Sequence, residues 1–262
     1  MRSPDSRERR CAALMKVAVV VPCFNEAQRL ELARFLDLAR SGISVLFVDD
    51  GSTDATRDVI EVGCASDPMI SVLLLPDNLG KGEAVRHGIL HLIDSGAGVV
   101  GYVDADLAAP PEELLRLLDL LVNSADVRVV TGARVRLMGT TVERSMLRHH
   151  LSRLFATLAS LALREKIYDT QCGMKLFRVD ERLRIAVSTP FRSRWIFDIE
   201  LLDRLFLWSR DHEPGRDLGL LEVPLKDWKE VGESKLTVKA MLRASVDLMF
   251  VVYRRRRGNS QV

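Results

Sequence analysis

The chain has 262 residues, with 38 Lys and Arg against 36 Asp and Glu, a formal net charge of +2. That balance supplies no electrostatic footprint for nucleic acid, and 47% hydrophobic with 28% charged residues excludes a disordered or fibrous chain. The length suits one α/β unit with a large core, and no run reaches the roughly eighteen apolar residues of a membrane span.

Residues 1–15 read as a flexible basic arm. Arg9, Arg10 and the apolar residues up to Met15 superficially suggest a secretory signal, but Lys16 interrupts the run and no small-residue cleavage site follows. Val17 to Val21 predicts the first strand, ending in Pro22-Cys23-Phe24-Asn25-Glu26, and a helical period covers roughly Ala27 to Arg40. Val45 to Val48 predicts a second strand, ending in Asp49-Asp50-Gly51-Ser52-Thr53-Asp54, before a helix from about Thr53 to Ala65. Ser52 and Thr53 read as turn and helix-cap residues. Ile70 to Leu75 leads through Asn78 to Gly80-Lys81-Gly82 and a helix over Lys81 to Asp94.

Val99 to Val103, entered from Gly96-Ala97-Gly98, predicts a buried strand that ends in Asp104-Ala105-Asp106, ahead of a helix from Pro111 to Asn123. Two carboxylates spaced by one residue can hold a hard divalent cation that also touches phosphate oxygens. A lone Asp-x-Asp can equally be a solvated strand end. Here, however, strands alternate with helices, which predicts βαβ units and a mostly parallel central sheet flanked by helices. All the polar motifs then fall on one edge, beyond the carboxyl ends of the strands, where open α/β sheets bind ligands.

In the second half, Thr131-Gly132-Ala133-Arg134 ends a further strand, and Arg144 and Arg148 begin the next helix. Arginine forks suit phosphate oxygens, so a phosphomonoester is a natural ligand for them. Along Met146 to Leu163, residues Leu147, Leu151, Leu154, Leu158 and Leu161 line one helical face, fit for core packing or for a membrane surface. Val238 to Tyr253 predicts an amphipathic helix ending in Arg254 to Arg257, a pattern suited to anionic lipid. Cys11, Cys23, Cys64 and Cys172 show no Cys-x-x-Cys spacing and read as thiols in a reducing cytoplasm. His87 and His91, one turn apart, read as helix surface for want of a further ligand.

The motifs Val-Val-Val-Pro-Cys-Phe-Asn-Glu (19–26), Val-Asp-Asp-Gly-Ser-Thr-Asp (48–54), Asn-Leu-Gly-Lys-Gly (78–82) and Val-Asp-Ala-Asp-Leu (103–107) resemble the family-2 glycosyltransferases of the GT-A fold. Asp-Thr-Gln-Cys-Gly-Met-Lys-Leu-Phe (169–177), Arg-Trp-Ile-Phe-Asp-Ile-Glu-Leu (194–201) and Gly-Glu-Ser-Lys-Leu (232–236) resemble the dolichyl-phosphate β-glucosyltransferase branch. The resemblance spans about residues 16 to 240. It implies a single GT-A (Rossmann-like) domain over 16–236; the amphipathic helix and basic tail read above then occupy 237–262.

The resemblance further implies Mg²⁺ or Mn²⁺ on Asp106 and Asp104, with Ala108 where relatives often carry a polar residue. It implies a nucleotide sugar held by Pro22, Asn25, Glu26, Asp50, Lys81, Asp104 and Lys235. An acceptor phosphate falls to Arg134, Arg144 and Arg148, with Trp195 and Asp198 beside it. Asp169 and Asp198 are the candidate bases were the acceptor a hydroxyl; a phosphate acceptor is already anionic and needs none. The expected reaction is inverting transfer of a hexose, foremost glucose from UDP-glucose, to polyprenyl or dolichyl phosphate. Transfer of mannose from GDP-mannose, or transfer to a sugar hydroxyl, remains the alternative. The expected location is cytoplasmic and peripheral, on the inner face of a membrane, with no nucleic-acid partner. A nucleotidyltransferase would want a glycine-rich phosphate loop after the first strand, where this chain has Pro22 to Glu26.

Overall fold

The computed structural model describes residues 15–135, 141–143 (backbone), 156–194, 196–229 and 247–249. Nine strands are described: β1 (Val17–Cys23), β2 (Ser44–Asp50), β3 (Ile70–Leu75), β4 (Val99–Val103), β5 (Val129–Ala133), β6 (Thr141–Glu143), β7 (Met174–Arg178), β8 (Leu220–Pro224) and β9 (Asp227–Lys229). The helices are α1 (Leu32–Arg40), α2 (Thr56–Ser66), α3 (Lys81–Asp94), α4 (Pro111–Val122), α5 (Glu181–Ser188) and α6 (Phe197–His212), with residues 156–163 and 247–249 also helical.

Seven strands form one sheet in the order β3-β2-β1-β4-β7-β5-β8, and β6 pairs with β9 beside it. The first four strands run parallel, as the alternating strand and helix periods predict. β7 departs from that pattern, lying antiparallel between β4 and β5, and β8 then pairs parallel with β5.

The apolar runs of β1, β2 and β4 are continuous because both sheet faces are covered. On one face Val19, Val21, Val45 and Phe47 pack with Phe35 and Leu38 of α1, Ile60 of α2, and Leu114 and Leu117 of α4. On the other, Ala18, Val20, Leu46, Val48, Val100 and Tyr102 meet Val85 and Ile89 of α3 and Phe197 and Leu201 of α6. A third cluster joins Ala159, Ala162 and Leu163 to Ile196, Ile199, Leu202 and Leu248.

Helices α3 and α4 begin where the sequence places them. Helices α1 and α2 begin later, at Leu32 and Thr56. The residues ahead of them hydrogen-bond across to each other's loops. Ser52 and Thr53 therefore cap no helix: the Ser52 Oγ accepts the Asn25 amide at 3.0 Å, and the Thr53 amide donates to Asn25 Oδ1 at 2.9 Å.

Candidate active site

The parallel register of β1, β2 and β4 brings their carboxyl ends to one edge, with Cys23 beside Asp49. Asn25 sits at φ +54, a left-handed conformation that asparagine tolerates better than most residues. Its side chain and amide tie the β1 loop to the β2 loop. Glu26 extends the tie, its amide donating to Thr56 Oγ1 at 2.8 Å while Oε1 accepts from Arg29 at 2.7 Å. Asp54 accepts from Thr56 and from the Ala27 amide, and the Thr56 hydroxyl is the main reason its carboxyl lies below the ordinary value. These bonds join the β1 and β2 loops at the carboxyl edge of the sheet.

Asp50 is 2% exposed and accepts the Leu79 amide on Oδ1 and the Gly80 amide on Oδ2, both at 2.8 Å. Burial raises its carboxyl, while the two amides and Arg194 oppose the shift. Gly80, at φ +98, lies so near Arg194 that a Cβ there would sit 2.6 Å from Nε. Arg194 completes the clasp, donating to the Leu79 and Asn78 carbonyls at 3.0 and 2.5 Å and to Asn78 Oδ1 at 2.8 Å. Asp50 and Arg194 thus hold the 78–80 turn between them, at the start of α3.

Lys81, the first residue of α3, reaches Asp104 Oδ1 at 2.5 Å. Burial alone would lower its ammonium, but Asp104 and then Asp198 raise it. Asp106 Oδ1 accepts the Ala108 amide at 3.1 Å. Its carboxyl is raised, first by burial and then by the neighbouring Asp104 charge. Two close carboxylates, one of them disfavoured as an isolated anion, fit a hard divalent cation. Among the described residues no third His, Cys, Asp or Glu joins them. Water and donor phosphate would complete the shell, as is common for Mg²⁺.

Arg134, at the end of β5, meets Asp169 in a two-pronged ion pair, Nε to Oδ2 at 2.7 Å and Nη2 to Oδ1 at 2.8 Å. The Arg134 amide also donates to Oδ2 at 3.1 Å, and the guanidinium lies 5.7 Å from the Trp228 ring centre. Burial would raise the Asp169 carboxyl, but Arg134 holds it well below the usual range. Glu222 of β8 fixes the backbone here, accepting the Tyr168 and Asp169 amides at 2.8 and 2.6 Å.

Asp198 lies beneath the open edge. It is 6% exposed, and its Oδ1 accepts from Lys175 Nζ at 2.7 Å and from the Tyr102 hydroxyl. Burial, and then Asp198, push the Tyr102 phenol well above its ordinary value, so it remains a donor. Burial pushes the Cys172 thiol up to about 12 and also raises Cys23, which leaves both poor nucleophiles. Arg144, Arg148, Trp195 and Lys235 lie outside the described residues. The structure therefore gathers Asn25, Glu26, Asp50, Lys81, Asp104 and Asp106 along the strand ends, with Arg134 and Asp169 paired at the end of β5. Gly173, Lys175, Arg194 and Glu222 join them; only Glu222 lies outside every motif in the sequence.

Known proteins match the chain in family and fold. The glycosyl transferase family 2 model matches residues 18–183. A dolichyl-phosphate β-glucosyltransferase of Trichomonas vaginalis is 33% identical over 253 residues, covering 91% of this chain and 71% of the relative. Those of Saccharomyces cerevisiae and Homo sapiens are 31% and 32% identical, over 90% of this chain and 73% and 74% of theirs. Among solved structures, glucosyl-3-phosphoglycerate synthase from Mycobacterium tuberculosis, bound to Mn²⁺, UDP and phosphoglyceric acid, superposes with a TM-score of 0.65. It is 18% identical, with 97% of this chain and 84% of that chain covered. A Pyrobaculum calidifontis mannosyltransferase with GDP-mannose and Mn²⁺ gives a TM-score of 0.57 at 16% identity, over 95% of this chain and 69% of that one. Both share its fold. The chain belongs to glycosyltransferase family 2 and is a glycosyltransferase of the GT-A fold.

Proposed function

We propose that the chain moves glucose from UDP-glucose to a polyprenyl or dolichyl phosphate, with inversion at the anomeric carbon. The observation that carries this reading is the pairing of Arg134 with Asp169, within reach of the Asp104 charge. A carboxylate whose basicity is suppressed by a buried guanidinium is a poor general base. An acceptor that brings its own negative oxygen needs none. The relatives from Trichomonas vaginalis, Saccharomyces cerevisiae and Homo sapiens are named for the same acceptor.

In this reading an oxygen of the lipid phosphate attacks the anomeric carbon. The bond from that carbon to the donor diphosphate breaks, and UDP leaves with its electron pair. A divalent ion on Asp104 and Asp106 would neutralise charge on the departing diphosphate. Lys81, already beside Asp104, adds a second positive charge to that side. The 78–80 turn, clasped by Asp50 and Arg194, frames the nucleotide, with Pro22, Asn25 and Glu26 at the end of β1 contributing to the same site. Arg134, with Arg144 and Arg148, receives the acceptor phosphate; Asp169 fixes the Arg134 fork so that its free edge faces the ligand. Trp195 beside the acceptor and Lys235 closing over the diphosphate complete the assignment.

The lipid must be reached from a membrane surface. Residues 156–163 turn Ala159, Ala162 and Leu163 to the core, leaving Leu158 and Leu161 43% and 70% exposed, and Met249 is 66% exposed. No helix among the described residues is long and apolar enough to cross a membrane. We assign this apolar patch, with the arginines at 254–257, to peripheral contact with the cytoplasmic leaflet. We assign the chemistry to residues 16–236; residues 1–14, 230–246 and 250–262 lie outside the described residues. Sugar-labelled UDP-glucose incubated with polyprenyl phosphate and Mn²⁺ tests the function. Label in the organic phase supports it; label released only onto a soluble sugar hydroxyl contradicts it.

A further inference from the structure

Lys175 is fully buried on β7, between β4 and β5. It stands opposite Tyr102 in the β4–β7 register, with Nζ 5.4 Å from that ring's centre. A buried ammonium is costly compared with an apolar residue of similar volume. Its two partners show where that cost is directed. Nζ donates at 2.7 Å to Asp198 Oδ1, and at 2.7 Å to the Cys172 carbonyl. Asp198 stands in the first turn of α6, where the helix dipole favours a carboxylate.

The next residue after Cys172 is Gly173, whose carbonyl accepts the Asp104 amide at 3.1 Å. The Asp104 carboxylate rests against the Gly173 α-carbon, and a Cβ there would collide with it. Cys172 and Gly173 therefore form a shelf under Asp104, and Lys175 fixes that shelf from below. The charge of Asp198 also reaches Lys81, the residue bonded to Asp104 on its open side.

We propose that Lys175 and Asp198 are positioning residues: their buried ion pair sets the Cys172–Gly173 shelf, and through it the placement of Asp104 for the metal and donor diphosphate. This rests on the donor-site reading above. It gives Asp198 a task behind the donor site. Partners that orient a metal ligand from behind typically change metal affinity 10–100-fold when lost.

The test uses Lys175→Met combined with Asp198→Asn, which removes both charges together while the amide oxygen still accepts from Tyr102. Mn²⁺ binding in the presence of UDP is followed by the loss of the free-ion electron paramagnetic resonance signal, alongside melting temperature and the KM of each substrate. The expected result is a folded protein melting near the wild type. Its Mn²⁺ affinity falls by roughly tenfold or more, and the donor KM rises by a larger factor than the polyprenyl-phosphate KM. A merely structural pair would move melting and both KM values together. Gly173→Ala, with the ion pair intact, should weaken Mn²⁺ binding in the same direction, which tests the shelf itself. If the double variant does not fold, Asp198→Asn alone, which keeps an amide oxygen for Lys175 and Tyr102, decides the ion pair's role by the same Mn²⁺ readout.

Unchanged Mn²⁺ affinity in the folded variant, with the wild type binding normally, overturns the positioning role and leaves the donor site standing. A wild type that binds neither UDP nor Mn²⁺ overturns the donor site, and this proposal with it.

Discussion

Arg134 and Asp169 face each other in a two-pronged ion pair, 2.7 Å from Nε to Oδ2 and 2.8 Å from Nη2 to Oδ1. Because the folded state holds the Asp169 carboxyl below its unfolded value, the pair stabilises the protein fully above the unfolded pKa of about 4. The stabilisation fades as pH falls below that value toward the folded one. Asp169→Asn should cost about 3 kcal/mol near neutrality, within the range for breaking a buried pair. Denaturant unfolding at several pH values checks this: the gap between variant and wild type should narrow as the solution becomes acidic.

Asp106 offers a pH signature of the opposite kind. Its carboxyl is raised by burial and by Asp104, and a proton competes with a metal ion for the same oxygens. Mn²⁺ affinity should therefore start to fall, on acidification, at a higher pH than an ordinary aspartate near 3.9 would give. Asp106→Ala should abolish that dependence and lower turnover by about 10²–10³. Calorimetric Mn²⁺ titrations across pH measure the first effect.

The clasp on the 78–80 turn predicts coupling between two residues far apart in sequence. Gly80→Ala meets both the φ of +98 and the Arg194 side chain, and should cost about 1–3 kcal/mol. Arg194→Ala removes the collision but leaves the unfavourable φ, so the double variant should lose less than the two single losses combined. A double-mutant cycle read by thermal unfolding and UDP affinity decides it; strictly additive losses would mean the side chain yields freely.

The exposed pair Leu158 and Leu161 gives a prediction separable from the chemistry. Leu158→Glu with Leu161→Glu should weaken sedimentation with phosphatidylserine vesicles, while UDP binding and melting temperature stay near the wild type. Unchanged vesicle binding would remove this face from the membrane contact.

The sequence reveals much of this arrangement because its first half obeys local rules. Continuous β-branched runs mark the parallel strands, and α3 starts at Lys81 as its period indicates. The late starts of α1 and α2 are invisible locally, since Asn25, Ser52, Asp54 and Thr56 bond across loops instead of along a helix. Antiparallel β7 is hidden for a related reason: strand order depends on long-range pairing, to which the Met174–Arg178 pattern gives no clue. Lys175 reads locally as a polar residue in a strand, and only the neighbouring Asp198 and Tyr102 explain its complete burial. Glu222 carries no motif at all; its part emerges from the two amides it binds.

The most direct test of the whole account is transfer of radiolabelled glucose from UDP-glucose to polyprenyl phosphate, with the product's anomeric configuration determined by NMR. A β-linked glucosyl phosphate is expected in the organic phase, formed with Mn²⁺ or Mg²⁺ and lost in Asp106→Ala. An α-linked product, or label carried only to a sugar hydroxyl, would contradict it.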